Sequence, residues 1–224
     1  MAYLLHIDTA TDKGLYFLAK DGEIVAQKDS GSDRDHAATL AGLVASLLHE
    51  AGISFQDIEG IAVNGGPGSY TGLRIGLAAA KGYCFALQIP LLLENRLLLL
   101  LHTAGAQEPD KNWLAILPAR TGEYFAAALD ETGALVLTPQ HITATSLEKW
   151  LSAQSGPFAG IGAVLADLQV SAVHPPAYDP GIWAKNAYRQ FTTGAFSNLA
   201  TAEPYYLKAA FTTQPRKSQP SKGM

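Results

Sequence analysis

Apolar runs alternate with turn residues from the start of the chain. Residues 3–7 form a short apolar strand ending at Asp8, and two more runs, 15–19 and 24–27, flank Asp21-Gly22. That dipeptide is a strong two-residue hairpin signal. Beyond it the period changes. Leu40, Leu43, Val44, Leu47, Leu48 and Ala51 recur at i, i+3 and i+4, which predicts a helix over 35–51 with Gly52 as its C-cap. A strand at 60–64, a glycine-rich turn, a helix reaching Leu87 and a strand at 90–93 complete the unit. The run Leu97 to Leu101, bracketed by Arg96 and His102, is far too short to span a bilayer and reads as a buried helix.

The second half repeats the order. Strands are expected at 113–117, at 123–129 and 134–137 around Thr132-Gly133, and at 158–161, with helices at 146–154 and 184–191. Three strands followed by alternating helix and strand, given twice, predicts an α/β protein of two similar lobes. The division is expected as 1–104 and 105–210, with a disordered tail at 211–224. That tail carries Arg216, Lys217 and Lys222. It reads as a solvated arm or as a contact for tRNA phosphate.

Composition narrows the classes. The 224 residues are 48% hydrophobic and 16% charged, ordinary for a globular protein, and the net charge of −4 does not suggest a chain that grips nucleic acid alone. One cysteine, Cys84, in an apolar helical stretch fits a reducing compartment. No secretory signal pattern opens the chain. A cytoplasmic protein is expected.

The most informative segment is Gly65-Gly66-Pro67-Gly68-Ser69-Tyr70-Thr71-Gly72-Leu73-Arg74-Ile75-Gly76. A turn of this kind between strand and helix presents backbone N–H groups at a helix N-terminus, where anions are attracted. It lacks the Gly-Lys-Ser/Thr ending of a Walker loop and the third glycine of a dinucleotide fingerprint. The run resembles the signature of the TsaB (YeaZ) family, bacterial proteins needed to install threonylcarbamoyladenosine in tRNA. Asp8-Thr9-Ala10-Thr11 and Glu203-Pro204-Tyr205-Tyr206-Leu207-Lys208 are similar to that family's two ends. The resemblance implies the duplicated actin/Hsp70/sugar-kinase (ribonuclease H-like) fold.

Enzymes of that fold hold ATP between the lobes with an acidic residue after the first strand of each. Asp8, Thr9 and Thr11 occupy the first phosphate position. In the second lobe Pro118 or Ala119 stands where the family usually has aspartate, so half of a phosphate clamp remains, unless Asp167 or Glu123 replaces the carboxylate. Gly160-Ile161-Gly162 could serve the adenosine position. The sister family TsaD holds a metal with two histidines at i, i+4; here His36 faces Leu40 and Ser32 at those spacings, so no metal is expected and His36 reads as a surface or capping residue. Ser69 and Thr71 have no histidine near them in sequence, and relatives' old label of peptidase finds no support. No catalytic residue is assigned.

What remains is a surface. Gly72, Gly76, Ala80 and Cys84 recur every four residues and form a ridge of small side chains that suits either a partner helix or close packing on the chain's own sheet. Helix 35–51 also carries extra apolar surface at Ala37, Ala38, Ala41 and Ala45. By the resemblance the chain is a non-catalytic scaffold for a TsaD-like paralogue, homodimeric when alone. It works beside a TsaE-like ATPase, meets tRNA indirectly, and involves no membrane. ATP or ADP with Mg2+ would sit only at the interface. Gly66, Gly68, Ser69, Thr71 and Arg74 would shape that interface or an adjoining nucleotide site, and Arg74 is either a phosphate or carboxylate contact or a salt bridge. The rival is a weak ATPase or sugar-kinase-like phosphotransferase using Asp8.

Overall fold

The computed structural model describes residues 1–31, 35–162 and 170–206, and for 171–173 the backbone alone. Strands β1 (Tyr3–Asp8), β2 (Leu15–Lys20) and β3 (Glu23–Asp29) form an antiparallel meander. Its tight turn uses Asp21 at φ 51° and Gly22 at φ 85°, the positive values that a hairpin matched to strand twist needs. Helix α1 (His36–Glu50) follows, capped by the Asp35 side chain on the Ala38 N–H. Strand β4 (Ile58–Asn64), helix α2 (Tyr70–Leu87) and strand β5 (Leu91–Glu94) then add two parallel strands. The sheet order is β3-β2-β1-β4-β5.

After helix α3 (Arg96–Gln107) the plan recurs with β6 (Asn112–Arg120), β7 (Glu123–Leu129), β8 (Leu135–Thr143), α4 (Ala144–Ser152), β9 (Phe158–Gly162) and β10 (Val170–His174). The second sheet is ordered β10-β9-β6-β7-β8. Read from the other edge, that is the first sheet's order with the same pattern of antiparallel and parallel pairs. The two-lobed duplicated fold expected from the sequence is therefore present.

Several elements depart from the sequence reading: β6 reaches Arg120, three residues beyond Leu117, the helix expected at 184–191 spans Pro180–Thr193, the helix read at 97–101 spans Arg96–Gln107, and three more differ as follows. Strand β8 runs six residues beyond Leu137, through Pro139; it is an edge strand, where a missing N–H costs no ladder bond. Strand β10 is short and has no counterpart among the expected strands. Helix α4 begins and ends two residues earlier than expected, because Thr143 caps it on the Ser146 N–H. The expected tail 211–224, Asp167, Ser32, and Leu207-Lys208 of the C-terminal motif lie outside the described residues.

The helices that end each half cross over. The α3 leucines 97, 100 and 101 pack with Trp113, Ala115, Leu117 and Ile161 of the second sheet. Helix α5 (Pro180–Thr193), from the second half, covers the first sheet: Trp183, Ala184 and Ala187 pack with Leu4, Phe17, Ala62 and Leu92. A cut in chain order after residue 104 thus separates the sheets but leaves each with the other half's helix. Trp183 stands edge-on to both His6 and Phe17 (5.1 and 5.3 Å between ring centroids), and His6 stacks on Phe17 at 4.1 Å. Such aromatic pairs each contribute about 0.5–1.5 kcal/mol beyond area burial. After α5 the chain returns to the edge of β5, where Ser197 bridges Leu91, and Tyr205 N–H donates to the Gly65 carbonyl at 2.8 Å. No helix among the described residues is long and apolar enough to cross a membrane.

Candidate functional site

The signature turn lies against the turn that follows β1, and its glycines explain the fit. A Cβ on Gly68 would stand 2.3 Å from the Ala10 carbonyl oxygen. On Gly72 it would stand 2.0 Å from the Thr9 carbonyl oxygen, and on Gly76 2.2 Å from Thr9 Oγ1. Gly66, at φ +100°, also needs a conformation that side chains disfavour. Cross-links complete the fit: Ser69 N–H donates to the Ala10 carbonyl (2.8 Å) and Thr9 Oγ1 to the Gly72 carbonyl (2.7 Å). Ser69 caps α2 on the Gly72 N–H at 3.2 Å, as a serine before a helix should.

This settles the choice left open for the small-residue ridge. Gly72, Gly76, Ala80 and Cys84 are all buried and face the chain's own β1 turn and sheet, so they are not a surface for another helix. Cys84 Sγ donates to the Pro90 carbonyl, and burial pushes its thiol up to about 12. The open ridge lies on the opposite side of α2, at Ala78, Gly82 and Ala86.

Asp8 is likewise turned inward. Its Oδ1 accepts from the Ala10 N–H at 2.7 Å, and its Oδ2 accepts from Asn64 Nδ2 at 2.9 Å and from the Tyr178 hydroxyl. Tyr178 stands just ahead of α5 and bridges 170 positions of sequence to reach it. Burial, and then the Asp8 charge, push the Tyr178 hydroxyl well above its ordinary range, which keeps it a donor. Thr9 is committed to Gly72, and Thr11 Oγ1 donates to the Lys13 carbonyl at 2.9 Å. All three candidate phosphate-binding side chains are engaged within the chain. Asn64 and Tyr178 could not have been found from spacing, because neither lies in a motif.

In the second lobe Gly162 is at φ +118° with its would-be Cβ 2.0 Å from the Ile116 carbonyl oxygen, which gives this glycine a packing role. Glu123 pairs with His141 at 3.0 Å on the neighbouring strand. His36 is buried, not a surface residue, and the cap of α1 is Asp35; His36 Nε2 donates to the Thr11 carbonyl at 2.8 Å. Among the described residues no three histidine, cysteine, aspartate or glutamate side chains converge as a metal site.

Among the described residues Arg74 is engaged by two tyrosines and by no carboxylate. Its guanidinium lies 4.1 Å from the Tyr70 ring centroid and 5.8 Å from that of Tyr206, and its Nε donates to the Tyr206 hydroxyl at 2.8 Å. On the outer side of the lobe, α1 and α2 enclose a groove of about 340 Å3 lined by Ala37, Leu40, Ala41, Ile75, Ala79, Gly82 and Tyr83. Thr71 is exposed at the head of α2.

Known proteins are similar to this chain. The Escherichia coli (strain K12) tRNA threonylcarbamoyladenosine biosynthesis protein TsaB is 30% identical over 223 residues, covering 92% of this chain and 94% of that protein. The chain belongs to the TsaB (YeaZ) family. A family model described as TsaD, tRNA N6-adenosine threonylcarbamoyltransferase, matches residues 24–157. The transferase of that name from Geotalea uraniireducens is 27% identical over 146 residues, 58% of this chain but 39% of that protein. The crystal structure of a Pseudomonas aeruginosa protein described as uncharacterized, with similarity to peptidase YEAZ, superposes with a TM-score of 0.76 at 24% identity, over 93% of this chain and all of that one. The fold of the TsaB family is thus the fold found here.

Proposed function

We propose that the chain is the non-catalytic scaffold subunit of tRNA N6-threonylcarbamoyladenosine synthesis, and that it docks a TsaD-like catalytic paralogue on the outer faces of α1 and α2. The observation that carries this reading is the contrast between the two sides of α2. Its inner side holds Thr9 through the Gly72 carbonyl, beside Asp8 and Thr11 that are taken up by Ala10, Asn64, Tyr178 and Lys13, whereas its outer side leaves alanine and glycine facing solvent beside Ile75 and Tyr83. Small residues in a groove between two helices let helices of a second molecule approach closely and build a bundle. The relatives' names supply the pathway.

On this reading a homodimer uses the same face when the paralogue is missing, and a TsaE-like ATPase joins the pair. ATP or ADP with Mg2+ belongs to the interface and not to Asp8, and the assembly is cytoplasmic. The test is reconstitution from threonine, bicarbonate, ATP and unmodified tRNA with the threonylcarbamoyl-adenylate synthase, the transferase and the ATPase. Modified tRNA should collapse when this chain is left out. Ala41→Arg and Gly82→Arg, both on the open side, should abolish co-elution with the transferase while the circular dichroism spectrum is kept. Unchanged yield without the chain would sink the proposal, and ATP turnover by the chain alone, lost in Asp8→Ala, would favour a kinase-like enzyme.

A further inference from the structure

Glu94, the last residue of β5, is a buried carboxyl group that no cation pairs with among the described residues. It is 5% exposed and points to the side of the sheet that α5 covers, as Leu92 does two positions earlier. There Gln190 of α5 donates its side-chain amide to Glu94 Oε1. An ionised carboxylate has about four sites for donors, and one amide fills one of them. The ion is left short of partners that water would supply.

The groups around it leave that deficit standing. From α5, Arg189 is felt through its charge and forms no ion pair with it. From β4, Asn64 stands opposite in register and directs its amide to Asp8. From α3, Arg96 acts on Tyr178, while His102 meets Asn186 at 3.2 Å and has its pKa lowered by burial and then by the Arg189 charge. From the returning segment, Tyr205 donates its hydroxyl to the Leu93 carbonyl at 3.1 Å, and burial, then the Glu94 charge, push it above its ordinary range. Burial therefore dominates at Glu94. It pushes the carboxyl up to about 7, against smaller opposing effects of the Gln190 hydrogen bond and the Arg189 charge.

The carboxyl also sits at a joint. Gly65 N–H donates to the Glu94 carbonyl at 2.8 Å, Asn95 caps α3, and Arg96 N–H donates to the Gly66 carbonyl at 2.7 Å. Glu94 is thus one hydrogen bond from the signature turn and one from the helix that crosses over from the second half. We propose that Glu94 and Gln190 form a proton-operated latch, which fastens α5 and the signature turn to the end of β5 when the carboxyl is protonated and loosens both when it ionises. The amide bond by itself favours the ion, but the water lost on burial outweighs it. The closed chain keeps the proton up to about pH 7, whereas the open chain releases it at the ordinary 4.5. Latching is complete below pH 4.5 and is lost as pH rises through about 7.

The test is hydrogen exchange of the full-length chain at pH 6 and pH 8, with intrinsic rates divided out, in wild type and Glu94→Gln. The variant keeps a neutral side chain of the same shape and carries the same histidines, so their titration cancels. Amides of α5, Gly65 and Arg96 should lose about tenfold in protection in wild type relative to the variant, the linkage value for a carboxyl at about 7 closed and 4.5 open. Amides of β6 and β7, in the other sheet, should change by less than about twofold. Gln190→Leu should move the loss to higher pH, because the donor that favours the ion is gone. The carbon-13 shift of the wild-type Glu94 carboxyl reads the same event without a substitution and should titrate at about 7. A carboxyl that titrates near its ordinary value, or α5 protection that changes alike in wild type and Glu94→Gln, overturns the latch. So does a loss in Gln190→Leu that stays at the wild-type pH. An equal loss in β6 and β7 would make Glu94 a burden on the whole fold, which overturns it too.

Discussion

The two lobes share a strand order but not a connection. Between β4 and β5 the first lobe places the glycine turn and the 18-residue α2. Between β9 and β10 the second has only residues 163–169, too few for such a helix at 1.5 Å per residue over the same span. Among the described residues the first lobe therefore presents a pair of helices, α1 and α2, on one face, and the second presents α4 on the matching face. A repeat of strands thus sets the scaffold, and one connection decides which copy carries a second long helix on that face. The glycines belong to that connection: without a close approach between α2 and the β1 turn, α2 could not lie flat on the sheet and leave its other side open.

The hardest blow to this comparison falls on the signature. Gly76→Val, whose Cβ would lie 2.2 Å from Thr9 Oγ1, should cost about 4 kcal/mol or more, as severe overpacking against a fixed turn does. Gly156→Ala in the second lobe meets only the Asn112 amide at 3.3 Å and should stay within about 1 kcal/mol. Urea midpoints that fail to separate the two would show that the glycines are incidental.

Next in size is the crossed helix. Trp183→Ala should cost about 3–5 kcal/mol, the range for deleting a buried tryptophan. Hydrogen exchange should then open β1 and β2 before β6 and β7, although Trp183 belongs to the second half of the sequence. The reverse order would mean that α5 does not hold the first sheet.

The same aromatic cluster makes the first lobe acid-sensitive. Burial lowers the His6 pKa from 6.5 to about 3, against smaller opposing effects of backbone hydrogen bonds. The native state keeps His6 neutral, while the unfolded chain takes up a proton below its ordinary pKa. Stability should be complete above pH 6.5 and fall as pH drops toward 3, by up to roughly 4 kcal/mol from this group. His6→Phe should flatten that limb of the unfolding profile.

Smaller effects sharpen the picture. Tyr178→Phe removes one donor from the buried Asp8 carboxylate and should cost about 2 kcal/mol, as a hydrogen bond to a charged group does. No destabilisation by denaturant titration would mean that the link between the two halves at Asp8 is idle. Gly82→Ala, on the open side of α2 with nothing within 4 Å of a new Cβ, should raise stability by about 0.5–1 kcal/mol through helix propensity. A decrease there would mean that the open side is less open than it stands.

Much of the fold was legible because it is written locally. Alternation and the i, i+3, i+4 period placed β1 to β5, α1 and α2 close to where they stand, and Asp21-Gly22 fixed the first hairpin. Pro139 hid the length of β8, because a proline reads as a break unless the strand is known to lie at an edge. In the candidate site the glycine turn was legible and its job was not. Small residues recur every four positions on both sides of α2, Gly72-Gly76-Ala80-Cys84 within and Ala78-Gly82-Ala86 without, and a period cannot say which side meets the sheet.

The sequence by itself determined the kinds and order of elements, the doubling of the plan and the family signature, since propensity, periodicity and turn chemistry act over a few residues. Only the tertiary structure decided what depends on distant parts of the chain. It sent α3 and α5 to the opposite sheets, buried His36 under the β1 turn, and brought Asn64 and Tyr178 to Asp8. Each of those outcomes is set by which apolar faces and unpaired polar groups find one another when the core closes. That choice is made by packing across the whole molecule, and no short window of sequence contains it.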